Sequence, residues 1–308
     1  MSKKQRNDVY AEVTNMIIEA LENGVRPWAK PWNGGYAEGN IMMPLRHNSE
    51  AYNGINVLIL WSIAMKKEYK SSHWMTYKQA KTLGGQVKKG EKAAPVFYAG
   101  KLQIEDEEQG ADEDDKFIHY MKSYRVFNVE QIENLPESYY FKPVEPPPLA
   151  EMERLPLADK FISDTGADIR HGGGRAYYST QLDHIQMPPI EFFKSSHSYY
   201  ATLCHELTHW TSHRKRLERP TYERSQNKEA YAFEELIAEL GAAFLSVDMG
   251  IIPDIEGNHA AYIGSWLKTL KQDKKAIFRA AAQAQRAADY LHSLQEKEEI
   301  EQKEVLAL

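Results

Sequence analysis

The chain has 308 residues, 42% of them hydrophobic and 11% aromatic, which is enough to bury two cores and excludes a wholly disordered protein. No stretch reaches the roughly 18 apolar residues that a membrane span requires, and the basic start leads into an amphipathic pattern rather than a signal sequence. The single cysteine, Cys204, excludes an internal disulfide framework and fits a reducing compartment. We therefore expect a two-domain cytoplasmic protein without a membrane partner.

The net charge of −6 conceals an uneven distribution. Residues 1–104 carry 15 Lys and Arg against 8 Asp and Glu, whereas the rest of the chain has an excess of 13 negative charges. Eight acidic residues and no base lie within 105–115. The basic first third is typical of a nucleic-acid-binding protein, although the chain as a whole is acidic.

The first part of the chain has mixed character. Apolar spacing and turn residues predict helices over 8–23, 54–67 and 76–83, then strands over 94–101 and 117–129. The acidic insert at 105–115 separates these strands and is predicted to be a disordered hairpin tip.

Five prolines between residues 142 and 156 mark a linker. They divide the chain into a first domain over 1–141 and a second over 157–308. In the second domain the pattern predicts a helix over 157–165, one or two strands within 175–188, and helices over 198–216, 228–249 and 260–294. The expected fold class is α+β, an α/β domain followed by a mostly helical domain with a small sheet.

The strongest local signal for chemistry is His205-Glu206-Leu207-Thr208-His209. On a helix, residues i and i+4 share one face about 6 Å apart along the axis, so His205 and His209 can bind one metal ion. Glu206 is turned roughly 100° away and is predicted to act as a general base rather than as a ligand.

A catalytic zinc site also requires a third protein ligand and an open position. The next predicted helix offers Glu235 and Glu239 at i and i+4. We predict Glu235 as the ligand and Glu239 as the carboxylate that holds a histidine or the helix pair in place, with Glu234 as the alternative ligand. Zn²⁺ is the expected cofactor, and Mn²⁺ or another divalent ion also fits this donor set. A salt-bridged helix pair without metal is the simpler alternative.

Aromatic and basic residues alternate in the first third, which suits single-stranded DNA because flat rings stack with bases and cations follow the phosphates. No helix-turn-helix or zinc-finger pattern supports base-specific reading of duplex DNA. The predicted contacts are Trp28, Lys30, Trp32, Arg46, Tyr52, Trp74, Tyr77, Lys78, Lys81, Lys88 and Lys89. An aromatic cluster is also typical of a hydrophobic core, and this alternative stands for the tryptophans.

His205–His209 followed by Glu235-Leu236-Ile237-Ala238-Glu239 resembles the zincin-type metallopeptidases, including the ImmA-like group, whose third ligand opens a Glu-x-x-Ala-Glu/Asp/Asn motif. In such folds a strand beside the active-site helix can pair with an extended peptide. Residues 176–180 and 183–188 resemble that strand region.

Several further motifs occur in one order along the chain: Pro27-Trp28-x-x-Pro31-Trp32, Asn48-x-x-x-Tyr52-x-Gly54-x-Asn56, Trp74-x-Thr76-Tyr77-x-Gln79-Ala80 and Leu83-Gly84-Gly85-x-Val87-x-Lys89-Gly90-Glu91. With the histidine motif they make the whole chain similar to ArdC-type antirestriction proteins, and its first domain similar to the start of TraC-type primases. The resemblance implies single-stranded DNA binding, a plasmid or mobile-element setting and protection of incoming DNA from host restriction. A host restriction-system protein is a further expected partner.

Two alternative functions stay open from the sequence. One is a regulatory metalloprotease that cleaves a repressor or host protein, and the other is a DNA-protecting protein whose metal site is structural or relict.

Overall fold

The computed structural model describes residues 8–29, 42–103, 117–140, 154–220, 227–251 and 260–295. The helices are α1 (Val9–Glu22), α2 (Ile55–Lys67), α3 (Tyr77–Thr82), α4 (Pro156–Asp164), α5 (Ser196–Trp210), α6 (Lys228–Asp248), α7 (Ala260–Gln272) and α8 (Ala276–Ser293). The strands are β1 (Leu45–Arg46), β2 (His73–Met75), β3 (Gln86–Val87), β4 (Ala94–Gln103), β5 (Phe117–Asn128), β6 (Ile132–Glu133), β7 (Ile169–His171), β8 (Tyr177–Ser179) and β9 (His184–Met187). This mixture of helices and small sheets confirms the α+β class.

Some of the predicted features lie outside the described residues. They are Lys30, Trp32, the acidic insert at 105–115 and most of the linker at 142–156.

Side-chain caps explain where several helices begin. Asp8 accepts a hydrogen bond at the start of α1, and Ser195 and Asn227 do the same for α5 and α6. At α3, Thr76 and Gln79 form a reciprocal capping box, so part of the Trp74–Ala80 motif has a structural purpose.

The predicted helix over 260–294 is two helices. Asp273 interrupts it, because its carboxylate accepts a hydrogen bond from the Lys275 amide at 2.8 Å and so competes with the regular backbone pattern. The helix predicted over 198–216 likewise ends earlier, at Trp210.

Contacts divide the chain into two compact units. The first comprises Met1–Met43, Asn53–Glu68 and Lys142–Leu308, and the second comprises Pro44–Tyr52 and Tyr69–Phe141. The units therefore do not follow chain order as the predicted division at residues 141–157 does, because α1 and α2 pack with the helices of the second half.

Helix α6 lies at the centre of the first unit, in contact with α5, α7 and α8. The face of α8 that is buried consists largely of alanines at 0–1% exposure, which permits close approach: Ala276, Ala280, Ala281, Ala284, Ala287 and Ala288. A small sheet of order β7-β9-β8 lies beside α5, with β7 parallel and β8 antiparallel to β9. Within the described chain, β8 pairs only with β9 and is an edge strand.

The second unit contains a sheet of order β1-β2-β5-β4 and a short β3-β6 pair. Strands β4 and β5 form a long antiparallel ribbon that pairs from Ala94↔Val126 to Gln103↔Phe117. The second unit has a small hydrophobic core of Met75, Ala80, Val129, Ile132 and Leu135. No helix in the described ranges is long and apolar enough to cross a membrane.

Candidate metal centre

Helices α5 and α6 pack unusually closely beside the histidine motif. A Cβ atom at Gly241 would lie 2.5 Å from Cγ2 of Thr208, which is fully buried and donates a hydrogen bond to the Cys204 carbonyl. Only a glycine fits this contact without a shift of one helix. The close crossing lets side chains of α6 reach the histidines of α5.

Three side chains converge from these helices. The Nε2 atoms of His205 and His209 are 3.2 Å apart, and the Glu235 carboxylate lies 3.6 Å from the first and 3.5 Å from the second. These three residues form a group that could hold one metal ion.

The separations of these donors fit a small divalent ion. A tetrahedral ion with bonds of about 2.1 Å has ligand atoms about 3.4 Å apart, which is close to the three observed distances. Two imidazoles and a carboxylate are also a donor set that zinc and manganese accept.

A carboxylate lies behind each histidine. Glu239 Oε1 is 3.5 Å from Nδ1 of His205, and Glu234 Oε1 is 3.3 Å from Nδ1 of His209. Such a partner fixes the tautomer and orientation of a ligating ring. Glu234, the alternative ligand from the sequence, thus contacts His209 on the ring edge that faces away from Glu235.

Each of these carboxylates is in turn held by an arginine. Arg219 donates to Glu234 Oε1 at 2.8 Å and also to the carbonyl of Thr208, so it ties Glu234 to the end of α5. Arg26 donates to Glu239 Oε2 at 3.1 Å. Neither arginine was predicted. Arg26 is far from the motif in sequence, and Arg219, ten positions after His209, carries no local pattern that marks it as a partner of a carboxylate.

Among the described residues, the charged side chains of the centre do not balance. They are Glu206, Glu234, Glu235, Glu239, Arg26 and Arg219, each at most 11% exposed. With neutral histidines, four carboxylates and two guanidiniums leave two negative charges in a buried region, where an uncompensated charge is costly. One divalent cation balances them, so the residues present fit a divalent metal.

The pKa values of the donors respond to the same imbalance. Burial by itself would lower the pKa of each histidine, but the neighbouring carboxylates hold the pKa of His205 well above 6.5 and raise that of His209 to about 9. Burial would raise the pKa of Glu235, yet His205 and His209 hold it well below its ordinary value. The raised pKa values favour protonated rings in the absence of a cation, and a bound metal ion would displace these protons.

Glu206, the predicted general base, is 8% exposed and follows His205 directly on α5. It lies outside the group of donors that could hold an ion, as its rotation around the helix requires. The edge strand β8 also contacts α5, in the region that resembles a peptide-pairing strand.

Three of the predicted DNA contacts are core residues instead. Trp28 and Trp74 are each 1% exposed and Tyr52 is 8% exposed, so their rings offer no face to a base. Trp28 packs edge-on against Trp266, with ring centroids 6.1 Å apart. The Pro/Gly-rich sequence around Trp28 gave no sign of this partner, which is more than 200 residues away in the chain.

Other predicted contacts lie at the surface of the second unit. Tyr77 is 45% exposed, and four of the predicted lysines are also exposed: Lys78, Lys81, Lys88 and Lys89. Arg46 is also exposed, where it pairs with Glu50 at 3.2 Å.

A second group of surface side chains, mostly tyrosines, was not predicted from the sequence. Cross-strand pairing places Tyr98, Tyr120, Lys122 and Tyr124 on the same side of the β4–β5 ribbon, and we call them the tyrosine face. Tyr98 and Tyr124 are 55% and 47% exposed. Gly100 leaves room for Tyr120, since a Cβ there would lie 2.5 Å from the ring. Tyr120 and Tyr124 are four positions apart in the sequence, a spacing that places them on one side of a strand and could have indicated this face.

Comparison with known families defines the class of protein. Residues 156–283 match the family of zincin-like metallopeptidases, and residues 7–127 match the N-terminal domain of anti-restriction factor ArdC. The chain therefore combines an ArdC-type N-terminal domain with a zincin-like metallopeptidase domain.

Individual relatives agree with this assignment. The crystal structure of the antirestriction ArdC protein from plasmid R388 in its metal-free form is 47% identical, with a TM-score of 0.79, and the match covers 94% of this chain and 98% of that one. The Mn(II)-bound structure of that protein matches with a TM-score of 0.77 over 93% and 98%. An uncharacterized protein y4eC of Sinorhizobium fredii is 37% identical over 94% of this chain and 92% of its own length. The DNA primase TraC of Escherichia coli is 36% identical over 96% of this chain, which spans 20% of the primase. This chain belongs to the ArdC antirestriction family.

Proposed function

We propose that this chain is an antirestriction protein of a plasmid or other mobile element that binds single-stranded DNA and protects incoming DNA from host restriction. The observation that carries the proposal is the similarity to R388 ArdC at 47% identity over nearly the full length of both chains. The match to the TraC primase supports a nucleic-acid partner. We place this action in the cytoplasm, where transferred DNA meets restriction enzymes.

Within the predicted DNA-binding domain over 1–141, we propose that the second unit, Pro44–Tyr52 and Tyr69–Phe141, binds DNA. The first unit, which includes the predicted linker at 142–156 and the predicted domain over 157–308, carries the metal centre. For the metal we propose His205, His209 and Glu235 as ligands, with Zn²⁺ as the resident ion because its preferred donors are present. Mn²⁺ is the alternative supported by the Mn(II)-bound relative.

For DNA, the exposed side chains of the second unit replace the buried tryptophans. The tyrosine face offers stacking surfaces, and Lys122 Nζ lies 5.0 Å from the centre of the Tyr120 ring. The described part of the ribbon contains no acidic residue, and Tyr77 with Lys78 and Lys81 adds an aromatic ring and two cations on α3. Rings and cations without a base-reading helix suit single strands of any sequence.

Tyr98→Ala and Tyr124→Ala are each expected to weaken binding of a labelled single-stranded oligonucleotide by about 1–3 kcal/mol, the usual contribution of one stacked base. The measurement is fluorescence anisotropy, repeated between about 50 and 200 mM salt, where affinity should fall steeply because phosphate contacts dominate. Tyr98→Phe and Tyr124→Phe keep the ring and should bind like the wild type. Equal affinity of the alanine and phenylalanine variants would remove the tyrosine face from the proposal.

A second candidate function is a metalloprotease that acts on a host or regulatory protein, and the buried Glu206 beside the histidines favours it. A divalent ion held by His205, His209 and Glu235 would lower the pKa of a bound water and polarise a carbonyl. Glu206 would accept the proton of the attacking water and pass it to the leaving amine. The free edge of β8 would hold the peptide by main-chain hydrogen bonds.

Glu206→Ala separates the two candidates, because it removes the base and leaves the ligands in place. Transfer of an unmodified plasmid into a restricting host is compared for the wild type and this variant at matched protein levels. Protection that survives supports DNA binding as the mechanism, whereas loss of protection with metal binding intact supports peptide hydrolysis.

A further inference from the structure

We propose that Arg26 is a positioning residue of the metal centre, so that the N-terminal family segment supplies a part of the centre that the zincin-like segment lacks. The inference rests on the proposed metal site. Arg26 lies within residues 7–127, which match the ArdC N-terminal domain, and its partner Glu239 lies within residues 156–283, which match the metallopeptidase. The two segments thus meet in an ion pair inside the first unit.

The contact is short and enclosed. Arg26 Nη1 is 3.1 Å from Glu239 Oε2, and the two side chains are 9% and 8% exposed. The other oxygen of the same carboxylate is 3.5 Å from Nδ1 of His205. Glu239 therefore connects the guanidinium to a ring whose Nε2 faces Glu235 and His209.

The backbone that carries Arg26 is anchored on both sides. Helix α1 precedes it and packs on α7, and Thr14 Oγ1 donates to the carbonyl of Lys274 at 2.7 Å. Pro27 and Trp28 follow it and are buried, with Trp28 against Trp266. The position of the guanidinium is thus set by the packing of the N-terminal segment.

This geometry gives Arg26 a defined role. A buried carboxylate without its cation is costly, so the side chain of Glu239 would turn toward another partner. Glu239 would then lose its 3.5 Å contact with Nδ1 of His205, and the ring would no longer be held with Nε2 toward the metal position. Arg219 has the corresponding role for His209, but it belongs to residues 156–283 itself.

Charge and position predict opposite effects, which makes the role testable. Removing a cation near the centre should by itself strengthen the attraction for a divalent ion. Loss of positioning should weaken binding by about 10- to 100-fold, the usual effect of changing the partner of a metal ligand. Weaker binding after removal of Arg26 is therefore a sign of positioning.

The experiment is calorimetric titration of the full-length metal-free chain with Mn(II). Arg26→Gln is expected to bind about 10- to 100-fold more weakly than the wild type, and Arg26→Lys to recover part of the loss because it restores the charge on Glu239. Arg170→Gln is the matched control, since it removes an exposed arginine of the same unit that pairs with Asp168. This control should bind like the wild type.

A double-mutant cycle tests whether Arg26 acts through Glu239. Glutamine at 239 is neutral and needs no guanidinium, so Arg26→Gln should cause no further loss in the Glu239→Gln background. The proposal is overturned if the loss of Mn(II) affinity in the double variant equals the product of the two single losses. It is also overturned if Arg26→Gln binds Mn(II) like the wild type. If Arg26→Gln does not fold, Arg26→Lys is measured in the wild type and in Glu239→Gln instead. The test is again whether the change at Arg26 lowers Mn(II) affinity only when Glu239 is present. A wild-type chain that binds no Mn(II) overturns the metal centre itself, and with it the role of Arg26.

Discussion

Glu235→Gln is expected to reduce the affinity of the chain for Mn(II) by more than about 100-fold, beyond the 10- to 100-fold effect typical of residues that only orient a ligand. The reason is that Glu235 lies 3.6 and 3.5 Å from the Nε2 atoms of both histidines and closes the group of donors. Glutamine keeps the size of the side chain but loses the charge that a divalent ion needs there.

Glu234→Gln is the matched control for that measurement. Glu234 contacts Nδ1 of His209 and is paired with Arg219, so we expect it to cost about 10- to 100-fold in Mn(II) affinity. Both variants are titrated with Mn(II) after circular dichroism has established that they fold. A larger loss for Glu234→Gln than for Glu235→Gln would identify Glu234 as the ligand and would contradict Glu235 as the third ligand.

Gly241→Ala is expected to destabilise the metal-free protein by about 1–3 kcal/mol, the usual cost of overpacking. The added methyl group would lie 2.5 Å from Cγ2 of Thr208 and would push α5 and α6 apart. Since these helices carry the ligands on both sides of the centre, Mn(II) binding should weaken as well. The measurements are denaturant unfolding followed by circular dichroism, and calorimetry.

Two further variants make this prediction specific. Gly264→Ala, on α7, adds the same methyl group where no atom lies within 4 Å, and should be neutral or stabilising by about 0.5–1 kcal/mol because alanine favours helix. Thr208→Ala should restore much of the stability lost in Gly241→Ala, since it removes the clashing atoms. Equal effects of Gly241→Ala and Gly264→Ala would show that the helices do not depend on this contact.

The metal centre was the most predictable part of the molecule. A helical spacing of four brings His205 and His209 to one side of α5, and the following helix offered only a few carboxylates to complete the group. The choice between Glu234 and Glu235 could not be made from spacing, because adjacent residues on a helix differ by roughly 100° and the orientation of α6 depends on its contact with α5. That contact depends on Gly241, which packs against Thr208, a residue 33 positions away in the sequence.

The nucleic-acid contacts were less predictable for a physical reason. A tryptophan beside proline and lysine has the same local sequence whether it faces solvent or packs on a distant helix. Trp28 is buried against Trp266 and Trp74 packs near Tyr69, both through tertiary contacts. Tyr120 and Tyr124 are a more direct signal, because residues that are an even number of positions apart share one side of a strand and this rule depends only on local sequence.

The packing of α1 and α2 with the later helices could not be predicted from the sequence either. A proline-rich segment indicates where a chain leaves one element, and it does not reveal which elements pack together. Arg26 illustrates the consequence, since its partner is 213 positions away.

Protection of transferred DNA from restriction can be measured as the number of recipients that acquire an unmodified conjugative plasmid, in isogenic restricting and non-restricting hosts, with and without the chain expressed. We expect the wild-type chain to raise this number in the restricting host and to leave it unchanged in the non-restricting host. Equal numbers with and without the chain in the restricting host would contradict the proposed function.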